Sequence, residues 1–146
     1  MTHAVLDANV LASGMVGLLN RDNIPGEIFR RTLAGTIVNV TSEAILREVE
    51  RTLGKDYFRR AVLDTNRDSL LAALRRRSLV VSITVIVSGE ASHPEDDLVL
   101  ATAVSGDADF LVTGDKQLLA LGTYQSVSIV TPRDFIGVLD RQKLGG

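Results

Sequence analysis

Acidic side chains with the potential for metal chemistry occur in four separate stretches of the chain. Asp7 follows a short apolar run, Glu48 lies in an amphipathic stretch, Asp96 and Asp97 are adjacent, and Asp115 follows a second apolar run. Like charges brought close together repel one another, and burial raises the cost. A cation relieves that repulsion, and carboxylate oxygens are preferred ligands of Mg²⁺ and Mn²⁺. Such a metal can activate water near a phosphodiester, so the pattern indicates metal-dependent hydrolysis.

The elements that must position these side chains alternate between strands and helices. Apolar or β-branched runs predict five strands, at residues 4–6, 36–40, 80–87, 110–113 and 127–130. Helical patterns lie between them, at residues 26–34, 42–53, 55–77, 94–104, 115–121 and 134–140. This alternation predicts a three-layer α/β/α fold with a central, mostly parallel five-stranded sheet. Ligands of such folds bind beyond the carboxyl ends of the strands, and all four acidic stretches begin at that edge.

Each acidic residue also has a structural interpretation. Asp7 could form a turn, residues 96–97 could interact with a helix dipole, and Asp115 could cap a helix. The apolar neighbours of Asp7 argue against a simple turn. Each structural role is plausible alone, but all of them would have to occur at the same edge of the sheet. We therefore favour a shared function for these residues.

The basic residues give a weaker signal. Arg47 or Arg51 could pair with Glu48, which on its own would be an ordinary solvated helix residue. The run from Arg75 to Arg77 suits a solvated helix end better than an RNA contact, because cations stabilise helix C-termini.

Composition narrows the classes of protein that remain. The 146 residues suit a single domain spanning 1–146, and 45% are hydrophobic. There is no Cys and there are two His, so a metal would be held mainly by oxygen, and disulfides and thiolate sites are excluded. Residues 1–92 hold 12 basic and 10 acidic side chains, whereas residues 93–146 hold 4 and 8. Without a signal peptide or a long apolar run, we expect a cytoplasmic protein with no membrane association.

Five motifs resemble those of PIN domains, in the same order along roughly residues 4–139. They are residues 5–11 (VLDANVL), 42–48 (SEAILRE), 94–101 (PEDDLVLA), 108–116 (ADFLVTGDK) and 127–135 (VSIVTPRDF). The fourth is the most specific. Ala8 departs from the family's pattern, in which Thr or Ser is common at that position.

The resemblance implies a Mg²⁺- or Mn²⁺-dependent ribonuclease that cleaves RNA. It further implies the toxin of a VapC-like toxin–antitoxin pair, with a cognate antitoxin protein as partner and a homodimeric assembly. Position by position, the catalytic and metal-binding quartet corresponds to Asp7, Glu48, Asp97 and Asp115. Supporting positions correspond to Asn9, Ser42, Asp96, Asp109 and Thr113. Asp97 is favoured over Asp96 as the direct ligand because Leu100 and Ala101 follow it at the family's distance.

Two other functions fit part of the pattern. A receiver-like or phosphoryl-transfer protein could be phosphorylated at Asp7, although Lys116 does not end a strand as the phosphate-binding lysine of such proteins does. A non-catalytic RNA- or protein-binding module would retain the fold but lack an acidic position, and none is missing.

Overall fold

The computed structural model describes residues 1–145, and its centre is a six-stranded sheet. The strands are β1 (His3–Leu6), β2 (Val38–Thr41), β3 (Ser78–Val80), β4 (Phe110–Val112), β5 (Thr123–Tyr124) and β6 (Val127–Val130). Their order across the sheet is β3-β2-β1-β4-β6-β5. All neighbouring strands are parallel except β5 and β6. The carboxyl ends of β1, β2, β4 and β6 therefore meet at one edge.

Helices connect the strands and flank the sheet. They are α1 (Ala8–Val16), α2 (Ile24–Leu33), α3 (Glu43–Leu53), α4 (Asp56–Ala61), α5 (Asp64–Arg76), α6 (Asp97–Ser105), α7 (Lys116–Leu121) and α8 (Pro132–Gly145). A 3-10 turn, Pro94–Asp96, leads directly into α6. Helix α6 packs on β1, β2 and β4, whereas α1 packs against α2 and α3. Within residues 1–145 none of the helices has the length and apolar character needed to cross a bilayer.

The central strands are buried on both faces. Val5 and Leu6 point to opposite sides of β1, yet both are almost fully buried, as are Leu111 and Val112 on β4. Side chains of this size contribute roughly 1.5–3 kcal/mol each when they are fully buried. This packing fixes β1 and β4 side by side, and with them the residues that follow each strand.

Helices α1 and α2 approach each other closely at a glycine. A Cβ atom on Gly14 would lie 2.8 Å from the carbonyl oxygen of Pro25 and 2.9 Å from the Cβ of Phe29. Asn23 caps α2 by accepting a hydrogen bond of 2.8 Å from the amide of Gly26. Glycine at position 14 thus sets the distance between α1 and α2.

The third strand is shorter and earlier than the sequence predicts. It ends at Val80 rather than at residue 87 because its partner β2 ends at Thr41, where Ser42 starts α3. The amide of Val81 still reaches the carbonyl of Thr41 at 2.8 Å, but no strand lies opposite the following residues. Residues 81–88 keep an alternation of half-buried and exposed side chains without a ladder, and that alternation produced the wrong prediction.

Three other elements differ from the expectation. Helix α1 was not predicted, because most of its residues are apolar and buried and show no amphipathic period. Residues 55–77 form two helices, α4 and α5, separated near Val62. The two-residue strand β5 adds a sixth strand in antiparallel orientation at the edge of the sheet.

Candidate active site

Asp7 occupies the carboxyl end of β1, between the sheet and α1. Its amide donates a hydrogen bond of 3.0 Å to the carbonyl of Val112, which places it beside the end of β4. The Thr113 hydroxyl donates to Asp7 Oδ2 at 2.6 Å. Burial raises the pKa of Asp7, and the nearby charge of Asp115 raises it further, although the Thr113 hydrogen bond acts in the opposite direction. Asp7 is thus a buried carboxyl group held in a fixed orientation.

Asp115 follows β4 and caps α7. Its Oδ1 accepts the amide of Leu118 at 2.9 Å, and its carboxylate also accepts the amide and hydroxyl of Ser92 at 3.2 and 3.1 Å. Burial alone would raise the pKa of Asp115, but these hydrogen bonds lower it overall. The amide of Asp115 donates to the Thr113 hydroxyl oxygen at 3.0 Å. Thr113 therefore connects Asp7 to the segment that carries Asp115.

Asp96 completes a group of three carboxyl groups at this edge. Burial raises the pKa of Asp96 to about 6, and the negative charges of Asp7, Glu95 and Asp115 add to the effect. Throughout residues 1–145, no Lys or Arg forms a salt bridge with Asp7, Asp96 or Asp115. Negative charge is therefore concentrated here without an ion-pair partner.

Asp97 has a different environment from its neighbour. It is 5% exposed, and its carboxylate accepts three backbone amides, from Gly89 and Glu90 at 3.0 Å each and from Ala91 at 2.8 Å. Gly89 has a φ of 77°, a backbone conformation that glycine adopts without steric cost. These contacts anchor the loop before α6 on Asp97, and the role of Asp97 as the direct metal ligand, which the sequence favours over Asp96, stays a prediction. Asp96, in contrast, lies near enough to Asp7 and Asp115 for their charges to act on its carboxyl group.

Glu48 lies on α3 and pairs with an arginine of the same helix. Its Oε1 and Oε2 lie 2.6 and 3.0 Å from Arg51 Nη2 and Nε. Within residues 1–145, Arg51 is the residue that hydrogen-bonds the Glu48 carboxylate. The hydrogen bonds and the charge of Glu48 raise the pKa of the Arg51 guanidinium, and the charges of Glu95 and Asp96 add to this effect. The Glu48–Arg51 pair thus borders the acidic group.

The supporting residues divide between the site and the scaffold. Ser42 is buried, caps α3 through the amide of Ile45 and lies 2.9 Å from the hydroxyl oxygen of Thr102 on α6. Asn9 is exposed in the first turn of α1. Asp109 precedes β4 and accepts the amide of His3 at 3.1 Å, so it lies at the opposite edge of the sheet.

Two contacts at the site could not be predicted from the sequence. Ser92 donates to Asp115, and the amides of residues 89–91 surround Asp97. The Ser92 contact joins positions 23 residues apart and has no periodic signal. For the contacts of Asp97, the sequence offers one indication, which is Gly89 close to the small residues Ala91 and Ser92 before a helix.

The chemistry of these side chains fits a hard divalent cation. All the candidate donors are oxygen atoms, and Asp96, whose pKa is raised first by burial, also experiences the negative charges of Asp7, Glu95 and Asp115, which a cation would neutralise. Among residues 1–145, however, no three acidic or imidazole side chains are already arranged as a metal-binding group. The carboxyl groups converge on one region without closing into a cage, as expected where their repulsion is not relieved.

Comparison with known proteins agrees with this architecture. The family model described as PIN domain matches residues 3–117, which includes all the acidic residues discussed above. An uncharacterized protein of Methanocaldococcus jannaschii is 28% identical over 144 residues, an alignment that covers 90% of this chain and 88% of that protein. No solved structure matches the chain. Together, the family match, the mostly parallel sheet and the acidic carboxyl edge lead to one assignment. The chain belongs to the PIN domain family.

Proposed function

We propose that this protein is a Mg²⁺- or Mn²⁺-dependent endoribonuclease. PIN domains are generally nucleases, which makes cleavage of nucleic acid the expected activity of this family member. The observation that supports the proposal best is the position of Asp96. Its carboxyl group is partly buried and lies close enough to Asp7, Glu95 and Asp115 for their charges to act on it, and burial together with these charges raises its pKa to about 6. Such a concentration of unpaired carboxylates is typical of a site that works with a cation.

In this proposal Asp7, Asp96 and Asp115 hold the cation. A bound Mg²⁺ or Mn²⁺ supplies an activated water and stabilises negative charge on the phosphate. Thr113 keeps the Asp7 carboxylate oriented through its hydroxyl and fixes the segment of Asp115. Asp97 contributes indirectly. It holds the loop of residues 89–91, which precedes Asp96 in the chain, and so helps to position Asp96.

The biological role is a further part of the proposal. We infer a cytoplasmic toxin that acts on RNA, is restrained by a cognate antitoxin protein and assembles as a homodimer. This part rests on the resemblance of the five motifs to PIN domains, a family that includes VapC-like toxins. Expression of the chain alone should arrest growth of a host cell, and co-expression of a small neighbouring open reading frame should restore it.

The nuclease proposal is tested by a cleavage assay on single-stranded RNA. We expect activity with Mn²⁺ or Mg²⁺, none in excess EDTA, and recovery when Mn²⁺ is restored. Asp7→Asn should be inactive under all conditions while it retains the wild-type fold. Cleavage that continues in EDTA would exclude the metal mechanism. RNA binding without cleavage in any metal would instead favour the alternative, a non-catalytic RNA-binding module.

A further inference from the structure

Two exposed cations lie at the carboxyl edge of the sheet, on the side of β6. Lys116 is the first residue of α7 and directly follows Asp115 in the chain. Arg133 is the second residue of α8, which begins where β6 ends. Both residues are exposed, and within residues 1–145 neither forms a salt bridge with an acidic side chain. Their charges are therefore available to a ligand.

The pairing of β4 with β6 brings the segments of the two cations together. Val112 pairs in parallel with Val130, and the amide of Thr113 donates to the carbonyl of Val130 at 3.0 Å. The chain reaches Lys116 three residues after Thr113 and Arg133 three residues after Val130. Helix α7 also packs on β6. Because β6 lies two strand spacings from β1, about 10 Å, both cations begin close to the strand ends that carry the acidic residues.

The stability of the helices does not explain these cations. The first turn of a helix has unpaired backbone N–H groups and a partial positive charge, so a cation there is unfavourable. Asp115 already caps α7, and at the start of α8 the Thr131 hydroxyl oxygen accepts the amide of Asp134 at 3.1 Å. Lys116 and Arg133 thus oppose the helix dipoles without a compensating salt bridge. Residues that break a local rule in this way are typical of functional surfaces.

We propose that Lys116 and Arg133 bind phosphate groups of single-stranded RNA on the β6 side of the acidic group. This inference rests on the proposed ribonuclease function and names two residues that position its substrate. Arginine binds phosphate through paired donors, and lysine binds it as a point charge. Residues 93–146 hold 4 basic and 8 acidic side chains, and two of the four cations stand at this edge. Phosphate contacts there hold the RNA over carboxylates that would otherwise repel it.

The other end of α8 provides a matched control. Lys143 is an exposed residue in the last turn of that helix. The neighbouring Gln142 accepts the hydroxyl of Thr2 at 2.8 Å, and Thr2 precedes β1, so this end of the helix lies at the amino edge of the sheet. A cation at a helix C-terminus also suits the dipole. Lys143 and Arg133 therefore carry the same charge on one helix but lie at opposite edges of the sheet.

The first test measures the affinity for a labelled single-stranded RNA of mixed sequence in EDTA, as a function of salt concentration. Loss of one phosphate contact flattens the salt dependence by about 0.7 and lowers the affinity about fivefold at about 0.1 M salt. We expect this for Lys116→Gln and for Arg133→Gln, and about twice the flattening when both are changed. Lys116→Arg and Lys143→Gln should bind like the wild type. Equal flattening by Arg133→Gln and Lys143→Gln, or a double variant that binds like the wild type, would overturn the assignment.

The second test follows thermal unfolding of the same variants in EDTA. Lys116→Gln and Arg133→Gln should melt at the wild-type temperature or slightly above it, because each removes a cation from the start of a helix. A Tm that falls together with the affinity would show that these side chains stabilise the fold, and would overturn their assignment to phosphate binding.

Cleavage of the same RNA with Mn²⁺ tests the ribonuclease function separately. We expect the double variant, Lys116→Gln with Arg133→Gln, to raise KM with a smaller fall in kcat. A wild type that cleaves RNA, with a double variant of the same KM, would overturn the roles of both residues and leave the ribonuclease proposal intact. A wild type that neither binds nor cleaves RNA in any metal would refute the ribonuclease proposal, and the roles of Lys116 and Arg133 with it.

Discussion

Neighbouring aspartates at the start of α6 should respond in opposite ways to the same substitution. Asp97→Asn replaces a carboxylate that accepts three backbone amides with a side chain that has one acceptor oxygen and an NH₂ group. The NH₂ group must face amide donors in a buried position. Asp96→Asn instead removes one negative charge from a group of like charges. The first change should damage the fold, and the second should damage metal binding.

The magnitudes follow from the two environments. Hydrogen bonds to a charged group contribute about 1.5–3 kcal/mol each, so Asp97→Asn should cost about 3 kcal/mol. For a chain of this size that lowers Tm by about 10 °C. Folding raises the pKa of Asp96 from 3.8 to about 6. At a pH above about 6 the carboxyl group is ionised in the folded and the unfolded protein, and its charge therefore destabilises the folded state. With solvent screening, Asp96→Asn should stabilise the metal-free protein by about 1 kcal/mol at neutral pH, and this gain should disappear as the pH falls below about 6.

Thermal unfolding of both variants with EDTA and with Mn²⁺ separates these effects. A cation in hundredfold excess over its dissociation constant stabilises the folded state by about 2.7 kcal/mol. Asp97→Asn should melt lower than the wild type in EDTA yet keep most of the Mn²⁺-induced increase. Asp96→Asn should melt slightly higher in EDTA and gain little from Mn²⁺. The reverse pattern, with the metal response lost in Asp97→Asn and kept in Asp96→Asn, would refute the assignment of Asp96 as the ligand.

Further predictions concern the surrounding residues. The Mn²⁺-induced increase in Tm should shrink as the pH falls through about 6, because protons compete for Asp96; a constant increase down to pH 5 would contradict this. Thr113→Val should cost about 1–3 kcal/mol and weaken the Mn²⁺ response, since Asp7 loses its 2.6 Å hydrogen bond; unchanged melting curves would show that this contact is unimportant. Gly14→Ala should destabilise the protein by about 1–3 kcal/mol in urea unfolding through its clash between α1 and α2, and an unchanged midpoint would show that the helices can separate freely. Replacing Arg75 to Arg77 with Ala should leave the salt dependence of RNA binding unchanged, and a flatter dependence would place these residues in the RNA interface.

The sequence was most informative about the fold where the hydrophobic pattern and the partner strand agree. Residues 110–112 pair in parallel with residues 128–130, Val127 pairs with Tyr124 of β5, and both strands were predicted to within a residue. Residues 81–88 alternate between half-buried and exposed side chains, but β2 ends before it can pair with them. The length of a strand depends on its neighbour, and a single-sequence pattern does not include that neighbour. Helix α1 is apolar and buried on most of its surface, so its sequence lacks the alternation of polar and apolar residues by which an amphipathic helix is normally recognised.

The candidate site shows a similar division. The alternation of strands and helices predicts that Asp7 and Asp115 lie at the same edge of the sheet, whereas the pairing of β1 with β4, which makes them neighbours, does not follow from that alternation. The different environments of Asp96 and Asp97 could not be predicted from the sequence. They depend on where the amides of residues 89–91 lie after folding. Asp109 directly precedes β4, as the predicted strand at residues 110–113 implies, and its contact with the amide of His3 places it at the edge of the sheet opposite the candidate site.

The central claim, that Asp7, Asp96 and Asp115 together hold the cation, is tested most directly by anomalous diffraction from crystals soaked in Mn²⁺. We expect one or more manganese peaks bounded by these three carboxyl groups, with the Asp97 carboxylate still bound to the amides of residues 89–91 and Glu48 still paired with Arg51. A manganese peak coordinated by Asp97 or Glu48 in place of Asp96, or a well-soaked crystal with no peak at the carboxyl edge of the sheet, would contradict the claim.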